Sequence, residues 1–165
     1  MSLEPKNVLF LCTHNSARSI MAEALLNRHG NGRFRAFSAG SQPSGALNPF
    51  VATLLTKMNF KLDTLRSKDW SEFVAPDAPV MNFVFTVCDQ TAAEACPVWP
   101  GKPMTAHWGF EDPSALQGND AQKAALVAQI YGQIERRIQI FVNLPMATLS
   151  QLEIQRQLHA MGRAA

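Results

Sequence analysis

Cys12 and Arg18 stand with five residues between them in the segment VLFLCTHNSARSIMAEALL, residues 8–26. An apolar run ends at Cys12, and a stretch that reads as helix begins just after Arg18. A thiol at the end of a buried strand, followed by an arginine at the start of a helix, is the arrangement that grips an anion. The backbone N–H groups of Thr13, His14, Asn15, Ser16, Ala17 and Arg18 can curl around it, with the positive end of the helix behind them. The planar guanidinium of Arg18 can hold two oxygens of a tetrahedral oxyanion at once. The same fields favour thiolate over thiol, so Cys12 is expected to be charged near neutral pH. Ser19 is placed to donate a hydrogen bond to that sulfur. Asn15 tolerates the left-handed backbone that a tight cradle needs. The plainer alternative is a packed cysteine and a surface arginine at an ordinary strand–helix turn.

Attack on an oxyanion must expel an oxygen, and a carboxylic acid lowers that barrier by protonating it. The segment HWGFEDPSA offers Glu111 and Asp112, with Pro113 fixing the backbone that follows. Two further cysteines, Cys88 and Cys96, bring the total to three. An odd count without an export signal argues against a structural disulfide framework. No CxxC occurs, and His14, His29, His107 and His159 do not pair at ligand spacing, so no metal site is expected. Inert buried thiols or thiol chemistry remain.

The elements that must carry these residues follow from apolar patterning. Strands are expected at Lys6–Leu11, Arg33–Gly40, Val80–Val87 and Met104–Trp108. Helices are expected at Ser19–His29, Pro49–Asn59 and Asp120–Asn143. The last of these shows Leu126, Ile130, Ile134, Ile138 and Phe141 at helical spacing, and Pro145 ends it. SQLEIQRQLHAMG reads as a terminal helix or tail, with Leu152, Leu158 and Met161 available for docking. Strand–helix alternation predicts an α/β fold with a parallel sheet covered on both faces. Ligands of such sheets bind at the carboxyl ends of the strands, where Cys12 and Cys88 both fall. The net charge of +2 and scattered basic residues give no nucleic-acid surface. The first apolar run is too short to span a membrane or to act as a signal peptide, so a cytoplasmic protein is expected. One domain, residues 1–165, is expected, with a core at about 7–143 and a helical C-terminal extension at 144–165.

The opening segment resembles the active-site loop shared by low-molecular-weight protein tyrosine phosphatases and the arsenate reductases of the same fold. FSAG, TVCDQTAAEACPVWPG and HWGFEDP extend the resemblance in the same order. It implies a three-layer α/β/α sandwich around a four-stranded parallel sheet, and a loop that binds phosphate or arsenate. Asp112 matches the family's Asp-Pro and is implied as general acid. TVCDQTAAEACP resembles the redox segment of thioredoxin-coupled arsenate reductases. The implied function is reduction of arsenate to arsenite by a relay through Cys12, Cys88 and Cys96, with thioredoxin or another thiol or dithiol as reductant and no cofactor. The alternative is a phosphatase acting on phosphotyrosine or small phosphoesters through a cysteinyl-phosphate. Against it, the family's phenyl-gripping tyrosines are missing after the Asp-Pro, and Tyr131 is the only tyrosine. A non-catalytic oxyanion sensor is the third reading, and intact Cys12, Arg18 and Asp112 count against it. Cys88 and Cys96 are eight positions apart, about 12 Å along an intact helix. A disulfide needs about 4.4–6.8 Å between Cα atoms, so the segment between them must unwind or loop out for a bridge. In some relatives, residues matching Asn15, Glu23, Ser38 and Asp69 hold a potassium ion. Lys68 stands beside that set here and is expected to pair with Glu23 in place of a metal.

Overall fold

The computed structural model describes residues 5–88, 99–113, 116–146 and 150–163. Four strands, β1 (Lys6–Leu11), β2 (Phe34–Ala39), β3 (Phe83–Thr86) and β4 (Met104–His107), form a parallel sheet in the order β2-β1-β3-β4. The helices are α1 (Arg18–His29), α2 (Pro49–Lys57), α3 (Asp120–Val142) and α4 (Gln151–Arg163), with a 3-10 turn at Trp70–Phe73. The expected α/β fold with a four-stranded parallel sheet is therefore present.

Strand ends are in register. Leu11 pairs with Ala39 on one side and Thr86 on the other, and Thr86 pairs with His107. Cys12, Gly40, Cys88 and Trp108 thus leave the sheet at a common edge. The chain departs from β1 to opposite sides, toward β2 and toward β3, so the switch in strand order lies between β1 and β3. That is where a parallel sheet opens a crevice for a ligand.

Val8, Leu9, Phe10 and Leu11 are fully buried because β1 is central and covered on both faces. Val8, Phe10, Phe83 and Phe85 pack with Ile20, Met21 and Leu25 of α1 and with Ile130, Ile134, Ile138 and Phe141 of α3. Leu9, Leu11, Val84 and Met81 form a smaller cluster on the other face, with Phe73 and Trp99.

Three expectations shift. Val80 is exposed, and its carbonyl accepts from the Asn7 side chain, while Asn82 Oδ1 accepts from Asn7 N–H. The Asn7 N–H and side chain are taken up by Asn82 Oδ1 and Val80 O, and β3 starts at Phe83, later than the apolar run suggests. In α3, Val127 is buried where Leu126 was expected, and Leu126 lies at the margin of the stripe. In α4, Ile154, Leu158 and Met161 form the buried stripe at i, i+4 and i+7, and Leu152 is left 80% exposed.

Candidate active site

The loop from Cys12 to Arg18 is turned inside out by its surroundings. Its carbonyls face away from the centre and are taken by neighbours. Thr13 O accepts from Gln42 N–H, His14 O from Ser44 N–H, and Ser16 O from Asn48 N–H. The Ser67 hydroxyl also donates to His14 O at 3.0 Å and itself accepts from Gly45 N–H at 3.1 Å. With the carbonyls committed outward, the amides are free to turn inward. Those of His14, Ser16, Ala17 and Arg18 donate to no acceptor among the described residues. Asn15 makes the turn with a φ of 47°, the left-handed backbone expected of it. Its own N–H closes back on Cys12 O.

The start of α1 completes the cradle. Ala17 at its N-cap offers no capping side chain, and its first turn holds no acid. The helix amides are therefore left for an anion. α2 and α3 are finished differently: Asn48 caps Phe50 and Val51, and Asn119 forms a capping box with Gln122. Gly40 lies so close to the Cys12 and Thr13 carbonyls that a Cβ would collide with both, which explains the glycine of FSAG.

Asn15 anchors the loop from within. Its Nδ2 donates to Ser19 Oγ at 2.8 Å, and its Oδ1 accepts from Lys68 N–H at 2.9 Å. Ser19 is fully buried, and its hydroxyl proton is not used in that bond. Lys68 Nζ donates to Ser38 O at 2.8 Å and Arg66 O at 2.7 Å, and lies 3.8 Å from Glu23 Oε1. Ser38 Oγ donates to the same carboxylate oxygen at 2.5 Å. Burial raises the Glu23 carboxyl above its ordinary range, against the pull of Lys68 and the Ser38 hydroxyl. Burial likewise lowers Lys68, against Glu23. Each charge is the other's compensation in a place that disfavours both. Asn15, Glu23, Ser38 and Lys68 are thus brought together. The Asp69 carboxylate is not: it caps the 3-10 turn through Ser71 N–H, while its backbone bridges to Gly40.

Cys12 and Cys88 meet at the switch point as free thiols, 5% and 2% exposed, near enough for the Cys88 side chain to act on the Cys12 thiol. Thr13 Oγ1 lies 3.7 Å from Cys88 Sγ. This neighbour overturns one expectation. The hydrogen bond to Cys88 and burial push the Cys12 thiol up, and Arg18 pulls it down by less. This arrangement favours the neutral thiol at Cys12 over the thiolate that the loop alone would favour.

Arg18 lies under the loop that follows β4. Its Nη1 donates to Phe110 O at 2.9 Å, and its Nη2 is 3.7 Å from Asp112 Oδ2. Arg18 Nε is buried with no hydrogen-bond partner among the described residues, a donor left over on the side chain expected to hold an oxyanion. Asp112 is 43% exposed, so it meets Arg18 at the mouth of the site. Cys96 lies outside the described residues. The only tyrosine, Tyr131, is buried in α3 with its ring edge-on to Phe60.

Gln42, Asn48, Ser67 and Phe110 were not foreseen. The first two and Phe110 act through backbone groups, which residue type does not signal. Ser67 is one hydroxyl in a loop, with no pattern to mark it.

Comparison with known proteins agrees with this geometry. The chain is 32% identical over 140 residues to an arsenate reductase of Bacillus licheniformis, covering 84% of this chain and 96% of that one. It is also 32% identical over 142 residues to an arsenate reductase of Bacillus subtilis, again covering 84% and 96%. Among solved structures, an arsenate reductase from Archaeoglobus fulgidus superposes with a TM-score of 0.65 at 28% identity, over 83% of this chain and 99% of that one. A thioredoxin-dependent arsenate reductase from Corynebacterium glutamicum superposes with a TM-score of 0.57 at 26% identity, over 86% of this chain and 65% of that one. The model of the low molecular weight phosphotyrosine protein phosphatases matches residues 7–157, and the chain belongs to that family.

Proposed function

We propose that this chain is an arsenate reductase working by a thiol relay. One observation carries the reading: a second buried free thiol, Cys88, lies against Cys12 at the oxyanion loop. Phosphoester hydrolysis needs a nucleophile, an arginine, an acid and water. A thiol against the nucleophile adds a two-electron donor.

Arsenate binds in the loop of residues 13–18, gripped by inward amides and Arg18. The Cys12 proton passes to an arsenate oxygen as Sγ attacks arsenic, and Asp112 protonates the departing oxygen, which leaves as water. Cys88 then gives its proton to the Asp112 carboxylate left by that step and attacks Cys12 Sγ as a thiolate. The S–As bond breaks, its electron pair stays on arsenic, and arsenite leaves as the Cys12–Cys88 disulfide forms. Cys96 attacks Cys88 Sγ and frees Cys12 as a thiolate. A thioredoxin-like dithiol reopens the Cys88–Cys96 bridge and is itself oxidised. Such a cycle needs reduced thiols at rest, which suits the cytoplasm. Ser19 supports Cys12 and Asn15. The Lys68 ammonium, held by oxygens of Ser38, Arg66 and Glu23, serves as a built-in cation behind the loop, and Asp69 supports it through the backbone. We read residues 1–165 as one catalytic unit.

Phosphoester hydrolysis is the second reading, favoured by the family match and by a loop that would take either oxyanion. The test compares wild type with Cys88→Ser in thioredoxin-coupled arsenate reduction and in p-nitrophenyl phosphate hydrolysis. Cys88→Ser should lose arsenate turnover by at least about 10³-fold, since no two-electron partner remains for Cys12. It should keep phosphate binding and any phosphoester hydrolysis. Undiminished arsenate turnover in Cys88→Ser would overturn the relay.

A further inference from the structure

β4 is one of the two edge strands of the sheet, and α4 lies against it. The amides of Met104 and Trp108 donate inward to Asn82 and Thr86. The carbonyls of Thr105 and His107 therefore face outward, away from β3. Gln155 of α4 donates its side-chain amide to Thr105 O at 2.6 Å. Gly162 sits so close to His107 O that a Cβ there would collide with it, and would also touch the Trp108 ring. Glycine is disfavoured inside a helix relative to alanine, so its presence here marks a close approach of helix to strand.

Any helix would shield an open edge. What singles out α4 is its hold on Trp108. The indole Nε1 donates to Leu158 O at 3.3 Å, and Leu158 is fully buried. Trp108 is 1% exposed and stacks on Phe85 with ring centroids 4.0 Å apart. It is the first residue after β4, the root of the loop that brings Phe110 and Asp112 to Arg18.

We propose that α4 is a positioning element for the acid loop: Leu158 and Gly162 fix Trp108, and through it the approach of Asp112 to the oxyanion loop. The inference rests on the reading of Asp112 as general acid. It separates two supports. The oxyanion grip is built by α1, residues 41–48 and residues 67–68, none of them on α4. Loosening α4 should slow the chemical step far more than it weakens oxyanion affinity, because the acid loop reaches the grip only through its contacts with Arg18.

The test is a double-mutant cycle in single-turnover arsenate reduction by the fully reduced protein, with phosphate as competing anion. Asp112→Asn should lower the rate by about 10²–10⁴-fold. Leu158→Ala keeps the carbonyl of residue 158 but removes the buried side chain that seats it against Trp108; it should lower the rate about tenfold, with the phosphate inhibition constant within about twofold of wild type. Added to Asp112→Asn, Leu158→Ala should cost nothing further, because both act through one group. Gly162→Val, which drives the last turn of α4 off His107, should repeat the pattern. Leu152→Ala, on the exposed side of the same helix, should change nothing. Wild-type rates in both Leu158→Ala and Gly162→Val would overturn the inference. So would an equal further loss in the Asp112→Asn background, which would mean that α4 acts on the fold at large. If Asp112→Asn alone keeps the wild-type rate, the acid reading fails, and the inference with it.

Discussion

The two loops that meet at the reacting centre are held in different ways. The oxyanion loop is tied at almost every residue: carbonyls 13, 14 and 16 are bonded from residues 42–48, and Ser67 bridges to it. Asn15 and Lys68 lock it from inside. The acid loop has a Phe110 N–H to Val87 O bond, the Arg18 contacts and the buried root at Trp108. The first loop is set locally and redundantly. The second hangs from its root, and the root is steadied by a helix some fifty residues downstream. Binding and chemistry should therefore respond to different substitutions: changes behind the oxyanion loop should act on affinity and stability, and changes around β4 and α4 on rate.

The largest effect behind the oxyanion loop should come from the buried ion pair. Lys68→Met removes the partner of a carboxylate that is 9% exposed at its side chain. Breaking a buried pair from one side costs about 3–5 kcal/mol. The cost should depend on pH in a known direction. Burial already raises Glu23 above 4.5, and loss of Lys68 raises it further. Below about pH 4.5 the carboxyl is neutral in both folded and unfolded chains, and the deficit is smallest. It should grow as pH rises through the folded pKa of Glu23, where the unfolded chain ionises freely and the folded one does so at a cost. Denaturant titrations of both proteins across that range measure this. A deficit independent of pH would show that Glu23 is not the group left behind.

A smaller effect is expected at Ser67. Ser67→Ala deletes one hydroxyl that donates to His14 O and accepts from Gly45 N–H. The loss should be about 1 kcal/mol. It should appear as roughly fivefold weaker phosphate binding with the single-turnover rate at saturating arsenate unchanged. A fall in rate at unchanged affinity would erase the distinction between the two loops.

The sequence was most legible where chemistry and turn geometry are local. Cys12, Asn15 and Arg18 lie within seven residues, and their types alone point to an anion cradle with a left-handed turn at Asn15. The central strands β1 and β3 followed from apolar runs, because a central parallel strand has no polar face to interrupt them. The pairing of Lys68 with Glu23 was also foreseen. What escaped was set by tertiary neighbours. The protonation of Cys12 depends on a thiol that the fold delivers from β3, so no reading of residues 8–26 could supply it. The capping role of the Asp69 carboxylate was also hidden, because the turn at residues 70–73 has no periodicity to reveal it. In α4 the apolar residues were visible, but Leu152 was grouped with Leu158 and Met161, and Ile154 was the residue that belonged.

The central claim is that Cys88 takes the electrons' path out of Cys12. It is tested most directly in Cys96→Ser, where the relay must stop after its second step. Arsenate added to the fully reduced variant, followed by acid quench and peptide mass analysis, should give a Cys12–Cys88 disulfide and about one arsenite per protein, with no further turnover. Arsenite released without that disulfide, or continued thioredoxin-coupled turnover in Cys96→Ser at the wild-type rate, would contradict the account.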